Sequence, residues 1–405
     1  MRGTFRSLRS PNYRIWAIGA LVSNVGSWMQ RTAQDWIVLV ELSDHNATAV
    51  GIVMSLQFGP QILLLPLTGY AADHLNRRKL LFCTQATMGL LALVLGLLVV
   101  TGLVRLWHVY VFAFLLGCTA AFDSPARQTF VAELVEEDLL PNAVGLNSTS
   151  FNAARMIGPA IAGGLITAVG SGWVFLLNAL SYVAVLASLT ALRTLPSSRR
   201  FAPARGSLLD GFRYVTQRPD LKAVLLMLFL IGTFGLNFPI FISTMAVGTF
   251  HAGASGYGLL SSMMAAGSVI GALMAAGRTR PDIPLLLVGA MIFGLGCAAA
   301  ALMPSYALFG IALIVIGVAA QTVTTSTNSF VQLSTEPRMR GRVIAILFAI
   351  LLGGTPIGAP IVGWIADRFG PRWALGVGAA SGILAAAVAF IYLATRDKTP
   401  DAGAT

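Results

Sequence analysis

Gly69-Tyr-Ala-Ala-Asp73-His-Leu-Asn-Arg77-Arg78-Lys79 is the stretch on which the fold turns. It sets four charges between two apolar runs, 49–72 and 79–101. A helix needs about 20 largely apolar residues to cross a bilayer, and each run supplies them. The stretch therefore reads as a short turn between two membrane-spanning helices. Gly69 lets neighbouring helices approach closely. Asp73 and Arg77 are charges at the membrane edge, able to pair across the inner face.

Moving outward, the same alternation recurs along the chain. Twelve apolar stretches are expected as spans: 14–40, 49–72, 79–101, 107–131, 142–168, 172–193, 222–248, 256–277, 284–303, 305–330, 342–365 and 373–395. Hydrophobic residues make up 56% of the 405 positions and charged ones 11%, where a soluble globular chain is about a quarter charged. With a mean hydropathy of +0.77, the chain has too much apolar surface for water to be its main solvent. The 42 glycines suit close helix packing in lipid. No series of alternating ten-residue strands is present, which excludes a β-barrel reading. The first apolar stretch is too long and too polar for a cleaved leader and reads as the first helix.

The net charge of +11 is explained by topology. With the N-terminus in the cytoplasm, 21 of the 27 Lys and Arg fall in inside segments, and only Arg105, Arg368 and Arg372 fall outside. This is the positive-inside bias, and it argues against nucleic-acid binding. Cys83, Cys118 and Cys297 lie in separate spans and offer neither a disulfide framework nor metal spacing. The four histidines are dispersed, so no metal is expected.

Segment 194–221 divides the spans six and six. Pro196, Ser197, Ser198, Arg199, Arg200 and Pro203 read as a connecter, followed by Leu208, Leu209, Phe212 and Val215 at the spacing of a short amphipathic helix. The expected organisation is an N-terminal bundle 1–193, the linker 194–221, a C-terminal bundle 222–395 and a tail 396–405, with both termini cytoplasmic. The halves also match without gaps at a shift of 200 residues: Phe130-Val131 with Phe330-Val331, Ile157-Gly158 with Ile357-Gly358, Gly170 with Gly370 and Trp173 with Trp373. A duplicated six-helix unit places a binding site near the midplane, with access alternating by rocking.

Polar residues inside spans are the candidate site. Asp123 and Arg127 stand four apart, a spacing that permits pairing. Arg31 and Asp35 repeat it in the first span. Arg155 lies halfway along the fifth span, where a charge is a functional candidate by default.

These features together resemble the major facilitator superfamily. Gly69 to Lys79 is similar to its loop signature G-x-x-x-D-R-x-G-R-R, with His74 and Asn76 departing from the usual Arg and Gly. The resemblance implies that Gly69, Asp73, Arg77, Arg78, Asp123 and Arg127 gate the cytoplasmic side, Asp123 pairing with Arg77 or Arg127. Arg155-Met-Ile-Gly158-Pro159-Ala-Ile-Ala-Gly163 resembles the fifth-span signature of antiporters, which implies export. The stretches Phe5-Arg-Ser-Leu8, Asn12-Tyr13-Arg14-Ile-Trp16, Val22 to Gln30 and Gly211 to Leu221 resemble the drug:proton antiporter branch that includes enterobactin and macrolide exporters. Where that family has an arginine in its fourth span, Gly117-Cys118-Thr119 carries none, and Arg155 is the candidate to replace it.

The resemblance implies an all-α polytopic membrane protein with twelve transmembrane helices in two pseudo-symmetric six-helix bundles, in a bacterial inner membrane. It also implies a monomer among membrane lipids that exports a small amphipathic substrate, with the proton gradient in place of a cofactor. Asp35, Asp123 and Arg155 are the proton-coupling candidates, and for Asp35 a structural pair with Arg31 stays open. Trp28, Arg31, Gln57, Phe58, Gln61, Asn152, Asn237, Phe238, Gln321 and Asn328 are the cavity candidates. Their few charges and several aromatics point to a largely apolar compound. Uptake is the alternative within transport. A nucleotide-driven pump would need a G-x-x-x-x-G-K-[ST] loop, which is absent. A membrane enzyme would need clustered His, Asp or Glu, and the one acidic run, Glu133, Glu136, Glu137 and Asp138, reads as a solvated loop. A sensor would need an added soluble domain, for which the tails are too short.

Overall fold

A computed structural model describes residues 5–65, 67–68, 71, 75–192, 208–278 and 281–396. Among them every regular element is a helix. Among the described residues nine helices are long and apolar enough to cross a membrane. Of the other expected spans, Pro11–Trp36 (α1) and Leu140–Val169 (α5) are long but carry polar stripes, and Ala47–Leu63 (α2) has 17 residues.

The chain packs as two compact units, Met1–Pro203 with Ala252–Ser262, and Ala204–His251 with Met263–Thr405. In the first, α1, α2 and α5 join Arg77–Val100 (α3), Leu106–Phe130 (α4) and Ser171–Ala191 (α6). Helix α6 packs on α1 and α3, and α4 on α2 and α3. Tyr13, Trp16, Leu81, Phe130, Tyr182 and Leu189 form a buried core between them. Trp16 meets Phe130 edge-on at 5.3 Å, a favoured aromatic geometry. Asn76 accepts a hydrogen bond from the Lys79 N–H at 3.1 Å and so caps α3. That role accounts for an asparagine where the loop signature has glycine.

The second unit contains Leu208–Gln217 (α7), Pro219–Leu230 (α8), Phe238–Thr244 (α9), most of Ala254–Ala276 (α10), Ile283–Leu302 (α11), Tyr306–Ser334 (α12), Arg340–Phe369 (α13) and Pro371–Arg396 (α14). Arg218 grips Asp220 through two bonds of 3.0 and 2.7 Å and donates to the Ser334 carbonyl at 3.2 Å. The hydrogen bonds to Asp220 hold the Arg218 guanidinium above its usual pKa.

The seventh expected span, 222–248, is interrupted. Helix α8 passes into a π turn, Ile231–Gly235, and α9 restarts at Phe238. Pro239 has no N–H to offer the preceding turn, so the ladder opens there. The Asn237 amide donates to the Thr233 carbonyl at 2.8 Å, returning a partner to one freed oxygen.

The shift of 200 seen in the sequence reappears in the helices. Both α5 and α13 have 30 residues and start 200 positions apart, and α4 and α12 start at 106 and 306. Gly170 and Gly370 end α5 and α13 with φ of 91° and 100° and ψ of 161° and 165°. Only glycine adopts that region without strain.

Candidate functional site

Helix α1 carries Asn24, Ser27, Gln30, Arg31 and Gln34 at intervals of three and four, so their side chains share one face. That stripe forms one wall of a cavity of ≈ 650 Å³ inside the first unit. Gln57, Phe58 and Gln61 of α2, Asp123 and Arg127 of α4, and Asn147, Phe151 and Asn152 of α5 line it as well. Asn178 and Tyr182 of α6 close it.

A hydrogen-bonded network ties the cavity walls together. Asp123 is buried, with its Oδ1 accepting from Thr84 Oγ1 at 2.8 Å and Gln85 Nε2 at 2.6 Å. Its Oδ2 accepts from Arg127 Nε at 3.2 Å, and Arg127 Nη1 donates to Asn24 Oδ1 at 2.9 Å. One carboxylate thus joins α3 and α4, and through Arg127 it reaches α1. Further along, Asn178 Nδ2 donates to Gln30 Oε1 at 2.6 Å, and Ser27 Oγ lies 3.2 Å from the Tyr182 hydroxyl. Buried polar groups need such partners, so the network fixes the helix registers.

Of the two partners open to Asp123, the structure selects Arg127. Arg77 pairs with Glu133 instead, Nη1 to Oε1 at 2.6 Å, with side chains only 7% and 12% exposed. This corrects the reading of Glu133 as part of a solvated run. Phe130 and Val131 pack into the core, and the turn Val131–Glu133 carries the carboxylate inward. Arg78 donates to the carbonyls of Leu189 and Thr190 at 2.8 and 3.1 Å, in the last turn of α6. A cation there meets the negative end of the helix dipole. Gly69 and Asp73 lie outside the described residues.

Arg31 and Arg155 converge on Trp28. The Arg31 Cζ stands 5.0 Å from the Trp28 ring centroid and 5.8 Å from that of Phe58, and the Arg155 Cζ stands 5.7 Å from Trp28. Gly158 makes the arrangement possible, because a Cβ there would come within 2.6 Å of Trp28 Cβ. Pro159 lies inside an unbroken α5, and a Cβ on Gly163 would sit 2.9 Å from the Cα of Ser255. Gly164 faces open space.

Asp35 is buried and does not line the cavity. The Tyr257 hydroxyl, on the first turn of α10, donates to its Oδ2 at 3.1 Å, and Trp36 stacks on the Tyr257 ring at 6.4 Å. Arg31 makes no ion pair with Asp35 among the described residues.

Arg31, Gln57, Phe58, Gln61 and Asn152 are therefore brought to the cavity, and Trp28 stands behind Arg31. The remaining candidates belong to the second unit. Asn237 is fully buried in the helix interruption. Phe238 packs edge-on against Phe241 and Phe293 at 6.1 and 6.4 Å. Gln321 donates to Thr325 at 3.0 Å, and Asn328 accepts from Gln332 at 3.1 Å, both along α12. Sequence reasoning missed Thr84, Gln85, Asn178, Tyr182 and Tyr257. For α6 a signal existed, since Ser171, Asn178, Ser181 and Ser188 fall on one helical face.

The family described as transmembrane secretion effector, within the major facilitators, matches residues 2–403. The staphyloferrin A transporter of Staphylococcus aureus is 24% identical over 354 residues, 85% of this chain and 87% of that one. The enterobactin exporter of Citrobacter koseri is 25% identical over 339 residues, 82% and 80% of the two chains. The multidrug efflux pump Tap of Mycolicibacterium fortuitum is 24% identical over 375 residues, 87% and 88% of the two. Among solved structures, a bacterial homologue of the human lysosomal transporter Spinster, inward-facing and occupied, is similar with a TM-score of 0.76 and 15% identity, over 97% of this chain and 99% of that one.

Proposed function

We propose that this chain, which belongs to the transmembrane secretion effector family of the major facilitator superfamily, exports a small amphipathic compound by proton antiport. Family membership makes it a multi-pass membrane transporter, and the apolar helices agree with that. In the proposal twelve helices span a bacterial inner membrane, with both termini in the cytoplasm, the orientation that the Lys and Arg bias favours. Relatives described as an enterobactin exporter and a multidrug efflux pump favour the outward direction.

The observation that carries the proton role is Asp35. It is a buried carboxylate whose described hydrogen-bond partner is the Tyr257 hydroxyl. An acid inside a span is expensive and functional by default. A carboxylate whose hydration changes between two conformations changes its proton affinity. Asp35 also lies apart from the cavity. Proton and substrate then compete through the conformational state of the protein. Asp123 and Arg127, with Arg77 and Arg78 at the start of α3, act in this reading as the cytoplasmic gate.

The test is proton movement in sealed proteoliposomes under an imposed pH gradient, with internal pH read by a trapped dye. Compound-dependent proton flux with the native chain, lost in Asp35→Asn, is the expected result. Substrate movement without any proton flux would overturn antiport.

A further inference from the structure

At the cavity wall lies a charge asymmetry that an amphipathic substrate alone does not explain: Arg31 lines the cavity, and Arg155 shares the Trp28 ring with it just outside the lining. Arg127 is matched by Asp123. Arg31 and Arg155 have no acid in contact among the described residues: Asp35, one turn along α1, acts on Arg31 only at longer range, and Arg155 feels the like charge of Arg31. Among the described residues neither guanidinium makes a hydrogen bond or an ion pair, and both rest on the face of the same indole, Trp28. Both are half-buried on spans of a membrane protein. Stacking on rings offsets only a small part of the cost of taking a guanidinium from water. Two like charges sharing one ring also repel each other.

We propose that Arg31 and Arg155 form an anion-binding clamp, and that the exported compound is an amphipathic organic anion carrying a carboxylate or a comparable oxyanion. A guanidinium presents N–H donors in a planar fork that fits such a group, and the charge-assisted bonds are strong where water is scarce. Phe58 and Phe151 line the cavity beside Arg31 and Trp28 and offer apolar surface to the rest of the molecule. The anion thereby supplies the missing counter-charge, so the site discriminates by charge as well as by hydrophobicity. A neutral or cationic compound of the same outline leaves both arginines unpaired. This deepens the proposed export function and rests on the cavity being the substrate site. It also revises the expectation of a largely apolar compound.

The test is equilibrium binding to the full chain in lipid nanodiscs, with empty nanodiscs subtracted. The probes are naphthyl, indolyl and decyl carboxylates, each beside the amine of the same skeleton. At least one carboxylate should bind about tenfold or more tightly than its amine. Arg31→Gln with Arg155→Gln should erase that preference, and Arg31→Lys with Arg155→Lys should keep it, since charge survives without the fork. A lysine pair that folds and still prefers the carboxylate guards against misfolding of the glutamine pair. Absence of carboxylate binding, amines binding as tightly as carboxylates, or a preference that survives the glutamine pair overturns the clamp. Binding is read without transport. Carboxylate binding without proton-linked transport would therefore sink the antiport reading alone, and proton-linked export of cations would sink the clamp alone.

Discussion

The hydroxyl of Tyr257 reaches Asp35 across 3.1 Å, joining residues 222 positions apart in the chain. A tyrosine can hold a carboxylate in place without neutralising it. The carboxylate is thus a proton site held by a neutral donor, with no lysine or arginine in ion-pair contact among the described residues.

If that site carries the coupling proton, Asp35→Asn abolishes proton flux in proteoliposomes by about tenfold or more, while substrate exchange at equal concentrations persists. Tyr257→Phe keeps the carboxylate and loses its donor, so it gives an intermediate flux. Unaltered flux in both variants would move the coupling to Asp123 or elsewhere.

Among the described residues of the first unit, Arg77 and Glu133 make the shortest ion pair, 2.6 Å apart and largely shielded from water. Arg77→Ala leaves a shielded carboxylate alone and costs about 3 kcal/mol. Removing Glu133 as well should recover part of that loss. Thermal unfolding of the detergent-solubilised single and double variants measures the coupling, and strictly additive losses would mean that the pair contributes nothing.

Asp123 accepts from three side chains on two helices. Asp123→Ala takes an acceptor from all three donors, leaving Arg127 with Asn24 and Thr84 with the Leu81 carbonyl, and should cost about 2–3 kcal/mol of stability. Asp123→Asn preserves an acceptor for Thr84 and Gln85 and should cost less. The same unfolding assay ranks them, and equal losses would argue that charge alone matters there.

Helix α5 offers a paired test of packing. A methyl group on Gly158 meets Trp28 at 2.6 Å, whereas one on Gly164 meets nothing within 4 Å. Gly158→Ala should displace Trp28 and lower transport by about tenfold, with Gly164→Ala close to the native rate. Equal behaviour of the two would show that the spacing of α1 and α5 is slack.

The sequence by itself determined the solvent, the helices and the repeat. Apolar length dictates membrane helices because an unpaired backbone group cannot be tolerated in hydrocarbon. The match of residues across a shift of 200 reappears as two 30-residue helices, α5 and α13, that start 200 positions apart, although the expected spans 142–168 and 342–365 are shorter at both ends. Motif spacing also marked Arg127 as a partner for Asp123, since four residues on one helix share a face. Only the tertiary structure decided the contacts between helices. Glu133 looked like one acid in a solvated run until the fold set it against Arg77. Tyr257 carried no local signal at all, because its partner lies on another helix. The two arginines on Trp28 come from α1 and α5, whose mutual approach depends on a missing Cβ at Gly158. Periodicity tells which face of a helix is polar, whereas the neighbour that face meets is set by side-chain packing between distant segments, which no local pattern encodes.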